Sequence, residues 1–179
     1  MDMRINTILI SAAIALAMIS CNKDETPTPD GLMSNGSFEN GGSFSTDGWS
    51  VSNGASDSDV PDGGGSFSLR LNPASLPGEG YADYIIEDLE GSHTFNASCF
   101  MRSFDDWPGS ITLKKRTADN VVTILATAAS SDAGWIEKTI SASATFNSGD
   151  VLIIHLSAGS TEIPIDSKYV LFDLVTIEE

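Results

Sequence analysis

The chain has 179 residues, with 25 Asp and Glu against 9 Lys and Arg, giving a formal net charge of −16. So acidic a surface repels phosphate backbones, and no Lys/Arg cluster overrides it, which excludes nucleic acid from the expected partners. Aromatic residues make up 8% and only two cysteines are present, so neither a ring-rich surface nor a disulfide framework is expected.

In chain order, Met1-Asp2-Met3-Arg4 leads into an apolar run from Ile5 to Ile19, followed by Ser20-Cys21-Asn22-Lys23-Asp24-Glu25. A charged start, a short apolar segment and a small residue before a cysteine read as a secretory signal over residues 1–20. The run is too short and too interrupted to span a bilayer, which needs about 20 apolar residues. Met18-Ile19-Ser20-Cys21 resembles the lipobox of bacterial lipoproteins, which implies lipidation of Cys21 and a membrane contact through that lipid alone. Asn22-Lys23-Asp24-Glu25 is similar to the acidic signal of Bacteroidota surface lipoproteins. That similarity implies an outer-membrane protein facing outside the cell. Residues 21–32 form a linker, whose Thr26-Pro27-Thr28-Pro29 favours an extended spacer of about 3.1 Å per residue.

Residues 33–179 are the size of one domain, large enough to fold without staples. No sustained helical period follows the signal. Short alternating or β-branched runs recur between Gly, Asn, Asp, Ser and Pro clusters. Strands are predicted near Gly36–Glu39, Trp49–Ser52, Phe67–Leu71, Tyr81–Leu89, Thr94–Ser103, Ser110–Thr117, Val121–Thr127, Trp135–Ala142, Val151–Ser157 and Lys168–Ile177. Asp119-Asn120 suits a hairpin turn. So many strands in one domain predict two packed antiparallel sheets, an all-β sandwich or jelly roll.

Alternation assigns faces. Phe95, Ala97, Cys99 and Met101 point one way, making Cys99 a buried, inert thiol. Val151, Ile153 and His155 oppose Leu152, Ile154 and Leu156, as in a strand covered on both sides or central beneath a loop. Near the C-terminus, Leu171, Asp173, Val175 and Ile177 are expected to share a face, with Asp173 the one carboxylate in an apolar row. A buried charge must be paired or bound to a cation.

Asn35-Gly36-Ser37-Phe38-Glu39 and Gly48-Trp49-Ser50-Val51 resemble the opening of carbohydrate-binding modules of families 4 and 9 and related galactose-binding-like jelly rolls. Gly65–Leu71, His93–Arg102, Gly134–Lys138 and Tyr169–Val175 match in the same order. The resemblance implies a non-catalytic module that captures a glycan. It also implies a structural calcium, with Glu39 and Asp173 on the family's acidic positions; calcium takes 6–8 oxygen ligands, so loop carbonyls would complete the set. Trp49 and Trp135 fall where the family has core or near-core rings.

A sugar site needs a flat ring beside polar groups. Trp107, in the loop Phe104-Asp105-Asp106-Trp107-Pro108-Gly109, is the leading candidate, with Asp105 and Asp106 as hydrogen-bonding acids. Tyr81, Tyr84 and Arg102 are secondary candidates. Asp57-Ser58-Asp59-Val60-Pro61-Asp62-Gly63 fails the EF-hand signature: the third acid is a residue late and position twelve is Ser68. With only His93 and His155 in the chain, no Ser-His-Asp or metal-histidine pattern is visible, and the pairs Asp105-Asp106 and Glu87-Asp88 alone do not make a glycosidase. The alternative function is a structural or adhesion protein of the same fold, taking a surface protein as its partner.

Overall fold

The computed structural model describes residues 32–162 and 167–179. The expected signal at 1–20, the lipid-bearing Cys21 and the linker up to residue 31 lie outside the described residues. Among the described residues the elements are all strands, β1 to β13. One sheet runs in the order β10 (Val122–Ser130), β9 (Gly109–Arg116), β12 (Val151–Thr161), β7 (Gly80–Ile86), β3 (Trp49–Ser52), with β6 (Ala74–Ser75) pairing the end of β12. The other runs β11 (Ile136–Phe146), β8 (Gly91–Phe104), β13 (Tyr169–Glu178), β5 (Ser68–Leu71), β4 (Gly54–Asp57). A small hairpin, β1 (Glu39–Asn40) with β2 (Ser43–Phe44), stands apart from both.

Apart from β6 on β12, every pairing is antiparallel. The chain crosses between sheets from β3 to β4, β5 to β6, β7 to β8, β8 to β9, β10 to β11, β11 to β12 and β12 to β13, so the sheets become the two layers of an antiparallel jelly roll. The inner faces supply Leu69, Leu71, Phe95, Met101, Ile111, Leu113, Leu152, Ile154, Leu156 and Phe172, all fully buried. Each such side chain contributes about 1.5–3 kcal/mol when removed from water, which makes this layer the main source of stability.

Several expectations need correction. Gly36–Glu39 is not a strand, because Asn35 and Phe38 adopt positive φ (59° and 54°) and turn the chain. Strands β10, β11 and β12 run past their expected ends, since their outer positions are Ser, Thr and Ala, which carry little hydrophobic signal. The faces of β13 change phase at a bulge between Asp173 and Thr176, where Leu174 has φ 48°. Val170, Phe172, Val175 and Ile177 therefore join the core, while Leu171 and Asp173 take the other face of the sheet, where both are still fully buried. The turn at Asp119-Asn120 has the expected form, with Asn120 at φ 62° and Thr117 N–H donating to Val121 at 2.9 Å.

The segment between β4 and β5 is fastened to the β8 and β11 side of the second sheet. Asp59 accepts from Arg102 Nη1 at 2.5 Å and from Trp135 Nε1 at 2.9 Å. Its carbonyl accepts from the Ser68 hydroxyl at 2.7 Å. On the first sheet, Glu79, from the segment between β6 and β7, reaches the outer face at His155 and Ser157.

Candidate functional site

On the first sheet the core takes alternate residues, which leaves the others in rows across its outer face. One row is Ser52–Tyr81–Ser157–Ser110–Ala129. Next comes Ser50–Asp83–His155–Thr112–Thr127. The third is Ile85–Ile153–Lys114–Ile124, and the fourth Val151–Arg116–Val122. The face thus grades from hydroxyls, through carboxylate and imidazole, to aliphatic and cationic groups.

The polar end is knit together. His155 Nδ1 meets Asp83 Oδ1 at 2.6 Å, and Nε2 meets Glu79 Oε1 at 3.3 Å. The Ser157 hydroxyl donates to the same Glu79 oxygen at 2.6 Å. Burial works against the Glu79 charge, yet the Ser157 hydroxyl and then His155 outweigh it, holding its carboxyl below the usual range. The Tyr81 ring stacks on the His155 imidazole, centroids 5.9 Å apart and planes 22° from parallel. His155 is itself buried at 5% exposure, so the half-exposed Tyr81 is the ring this face presents. A tyrosine held flat by a histidine, which two carboxylates fix, is a rigid platform bordered by acceptors and hydroxyls.

The turn carrying Asp105, Asp106 and Trp107 stands at the polar end of this face. Both aspartates have φ 54°, the left-handed pair of a tight turn between β8 and β9, closed by Trp107 N–H donating to the Phe104 carbonyl at 3.2 Å. Trp107 is half-buried against the core and donates through Nε1 to the Ala158 carbonyl at 2.5 Å, next to Ser157. The Lys168 ammonium lies 4.7 Å from its ring centroid. Asp105 and Asp106 are exposed.

Tyr84 and Arg102 are not brought to this face. Tyr84 points to the core side of β7, edge-on to Trp49 at 5.3 Å, with its hydroxyl accepting from Ser34 N–H at 3.1 Å. Arg102 lies on the other sheet, tied to Asp59 and to the Ala133 carbonyl. Sequence reasoning missed His155, Asp83 and Glu79 as one group. The usable signal was the phase of β7, which puts Tyr81 and Asp83 on one side and Ala82, Tyr84 and Ile86 on the other.

A second constellation lies between the two ends of the described chain. Asp173 is fully buried; Oδ1 accepts from Leu174 N–H at 2.7 Å, while Oδ2 has no hydrogen-bond partner. Burial, and then the nearby Glu39 charge, push its pKa up to about 7. Glu39 Oε1 accepts from the backbone N–H groups of Ser66 and Phe67, the latter at 2.7 Å. Both carboxylates crowd the Gly64–Gly65 backbone: a Cβ on Gly64 would fall 2.7 Å from Asp173 Oδ2, and one on Gly65 would overlap Glu39. Among the described residues no group of three or more His, Cys, Asp and Glu side chains converges, so any cation here would need carbonyl or water oxygens as well. An orphaned buried carboxylate oxygen beside a second carboxylate fits a hard, oxygen-ligated cation.

No protein-family model and no curated protein matches the chain. Solved structures do. A structure described as "Family 16 Carbohydrate Binding Module-2" is 16% identical, with a TM-score of 0.57 over 83% of this chain and 99% of that one. TmCBM61, solved in complex with beta-1,4-galactotriose, is 12% identical, with a TM-score of 0.52 over 84% of this chain and 99% of that one. The N-terminal CBM22-1-CBM22-2 tandem domain of Paenibacillus barcinonensis Xyn10C is 16% identical, with a TM-score of 0.54 over 83% of this chain and 46% of that one. At these identities the likeness is one of fold, and it agrees with the expected all-β jelly-roll sandwich.

Proposed function

We propose that this protein is a non-catalytic module that captures a glycan on the outer face of its β10–β9–β12–β7–β3 sheet. The observation that carries the reading is the Tyr81 ring held flat on His155 among Asp83, Glu79, Ser157 and Thr112. A pyranose presents an apolar C–H face to such a ring and its hydroxyls to the flanking carboxylates. Asp105, Asp106 and the half-buried Trp107 border the polar end of the same platform. The fold shared with carbohydrate-binding modules supports the reading. Affinity is expected to be modest, because little area is buried and sugar hydroxyls must be desolvated.

Under the same proposal, Glu39 and Asp173 hold a structural calcium together with loop carbonyls. The ion would supply charge neutralisation and a crosslink between the β1 segment and β13, and take no part at the sugar platform. Cys21 would carry the lipid that tethers the module to the outer membrane, facing outward.

A glycan array probed with the protein, beside its Tyr81→Ala variant, tests the reading. Specific retention that disappears in the variant is the expected result. Silence across the array would move the assignment to the second reading, a surface-protein partner. That reading is favoured by Val121, Val122 and Ile124, exposed at 59%, 53% and 65% on the β9–β10 hairpin.

A further inference from the structure

We propose that Lys114 and Arg116 form an acid-recognition subsite, which takes the carboxylate of a uronic-acid residue within an otherwise neutral glycan. The inference rests on the capture reading above and names its substrate class.

Arg102 pairs with Asp59 at 2.5 Å, Lys115 with Asp150 at 2.7 Å, and Lys138 approaches Asp132 at 3.9 Å. Arg70 lies over the Tyr169 ring and Lys168 over Trp107. Lys114 and Arg116 make no ion pair within 4.0 Å among the described residues; the Lys114 charge is felt by Glu79 at longer range, and Arg116 has no acid beside it in its row. In a protein of net charge −16, two cations without a close acid among the described residues stand two residues apart on one strand of the face that carries Tyr81.

Their neighbours favour a carboxylate. Lys114 sits between Ile153 and Ile124, and Arg116 between Val151 and Val122. The buried Ile153 and Val151 on the β12 side limit solvation of the stems there and strengthen a charge-assisted bond. The guanidinium fork takes both oxygens of one carboxylate, while the lysine adds a mobile point charge. Side chains two apart on a strand are about 6.6 Å apart, so both reach a single acid.

The two ends of the face then set what lies between. Ser110 in the Tyr81 row and Lys114 are four residues apart on β9, roughly 13 Å at about 3.3 Å per residue, more than one sugar ring spans. Glu79, bonded to Ser157 of the Tyr81 row, repels a second acid there and accepts from hydroxyls, as does Asp83 in the row between. A neutral unit at Tyr81 and a uronate at Lys114 and Arg116 satisfy both ends. An anionic bilayer or a continuous polyuronate would place negative charge against Glu79 and Asp83 as well.

The test uses glucuronoxylan and glucuronoarabinogalactan, each beside its carboxyl-reduced form, in affinity electrophoresis with the whole protein. At least one acidic form should bind about tenfold more tightly than its reduced twin, the effect of one charge-assisted contact. The K114Q/R116Q variant, checked for an unchanged melting temperature, should bind both forms alike. Equal binding of the acidic and reduced forms by the wild-type protein would overturn the subsite and leave sugar capture standing. Failure to bind any of these, with a neutral glycan still bound on the array, has the same meaning; an array silent for every glycan removes both readings. Adsorption to phosphatidylglycerol vesicles that the double variant loses would reassign the pair to a membrane surface and overturn the proposal.

Discussion

Glu39 and Asp173 carry their carboxylates to adjacent backbone positions, Gly65 and Gly64, and Asp173 arrives with one oxygen unpartnered. Two acids held this close repel one another unless a proton or a cation lies between them. Calcium at about a hundred times its Kd should therefore add about 2.7 kcal/mol to the unfolding free energy, a shift of several degrees in Tm. Calorimetry in calcium and in chelator measures it; identical transitions would remove the cation from the site.

The metal-free protein should show a pH dependence of definite sign. Asp173 titrates at about 7 in the folded chain, against an ordinary value of 3.8. Between those values the native state keeps a proton that the unfolded chain has released. Stability in chelator should consequently fall as pH rises from about 4 to 7, then level off above. Asp173→Asn should flatten that fall in urea titrations run across the window. A stability that climbed over the same range would contradict the assignment.

At Gly65 a methyl would meet the Glu39 carboxylate and must displace it from the Ser66 and Phe67 N–H groups that hold it. Gly65→Ala should lose about 1–3 kcal/mol in denaturant unfolding, the usual cost of overpacking. Combining it with Glu39→Ala should cost less than the sum of the two single changes. Strict additivity would mean that the two residues are not in contact.

Tyr81 and Trp107 should separate binding from folding. Tyr81→Ala removes an outer-face ring and should abolish glycan retention with little change in Tm. Trp107→Ala removes a ring packed on the core and the bond to Ala158, so a loss of about 2–3 kcal/mol is expected in urea. An unchanged midpoint for Trp107→Ala would show that its packing is dispensable.

Cys99 gives a simple probe of the core. It is fully buried, and burial, with a smaller contribution from Glu137, pushes the thiol far above its ordinary range. A thiol reagent should leave it unmodified in the native protein and react only on unfolding. Rapid labelling under native conditions would contradict the sandwich packing around β8.

Alternation alone located most strands and the core row of Phe95, Ala97, Cys99 and Met101, because a two-residue period survives whatever lies across the sheet. Asp173 was legible as misplaced for the same reason. Its neighbours were assigned to the wrong face because Leu174 adopts a left-handed angle that nothing in a leucine announces. The outer-face site was harder to see. Tyr81, His155 and Lys114 belong to three strands, and only the register of β7, β12 and β9 brings them together. Trp107 drew attention as a loop tryptophan, but whether its indole N–H was satisfied depended on a carbonyl 51 residues away.

Leu174 is the surplus residue of β13, and the bend it makes is where Val175 N–H reaches the Gly36 carbonyl at 2.9 Å. Removing it would restore unbroken pairing with β8 and keep Val175 and Ile177 inward. The tidier strand would lose the kink that receives the Gly36 segment and sets Asp173 opposite Glu39. Regularity and closure are thus in conflict at this one position. A homologue shortened there would keep its sheet and lose the clasp between its first and last elements.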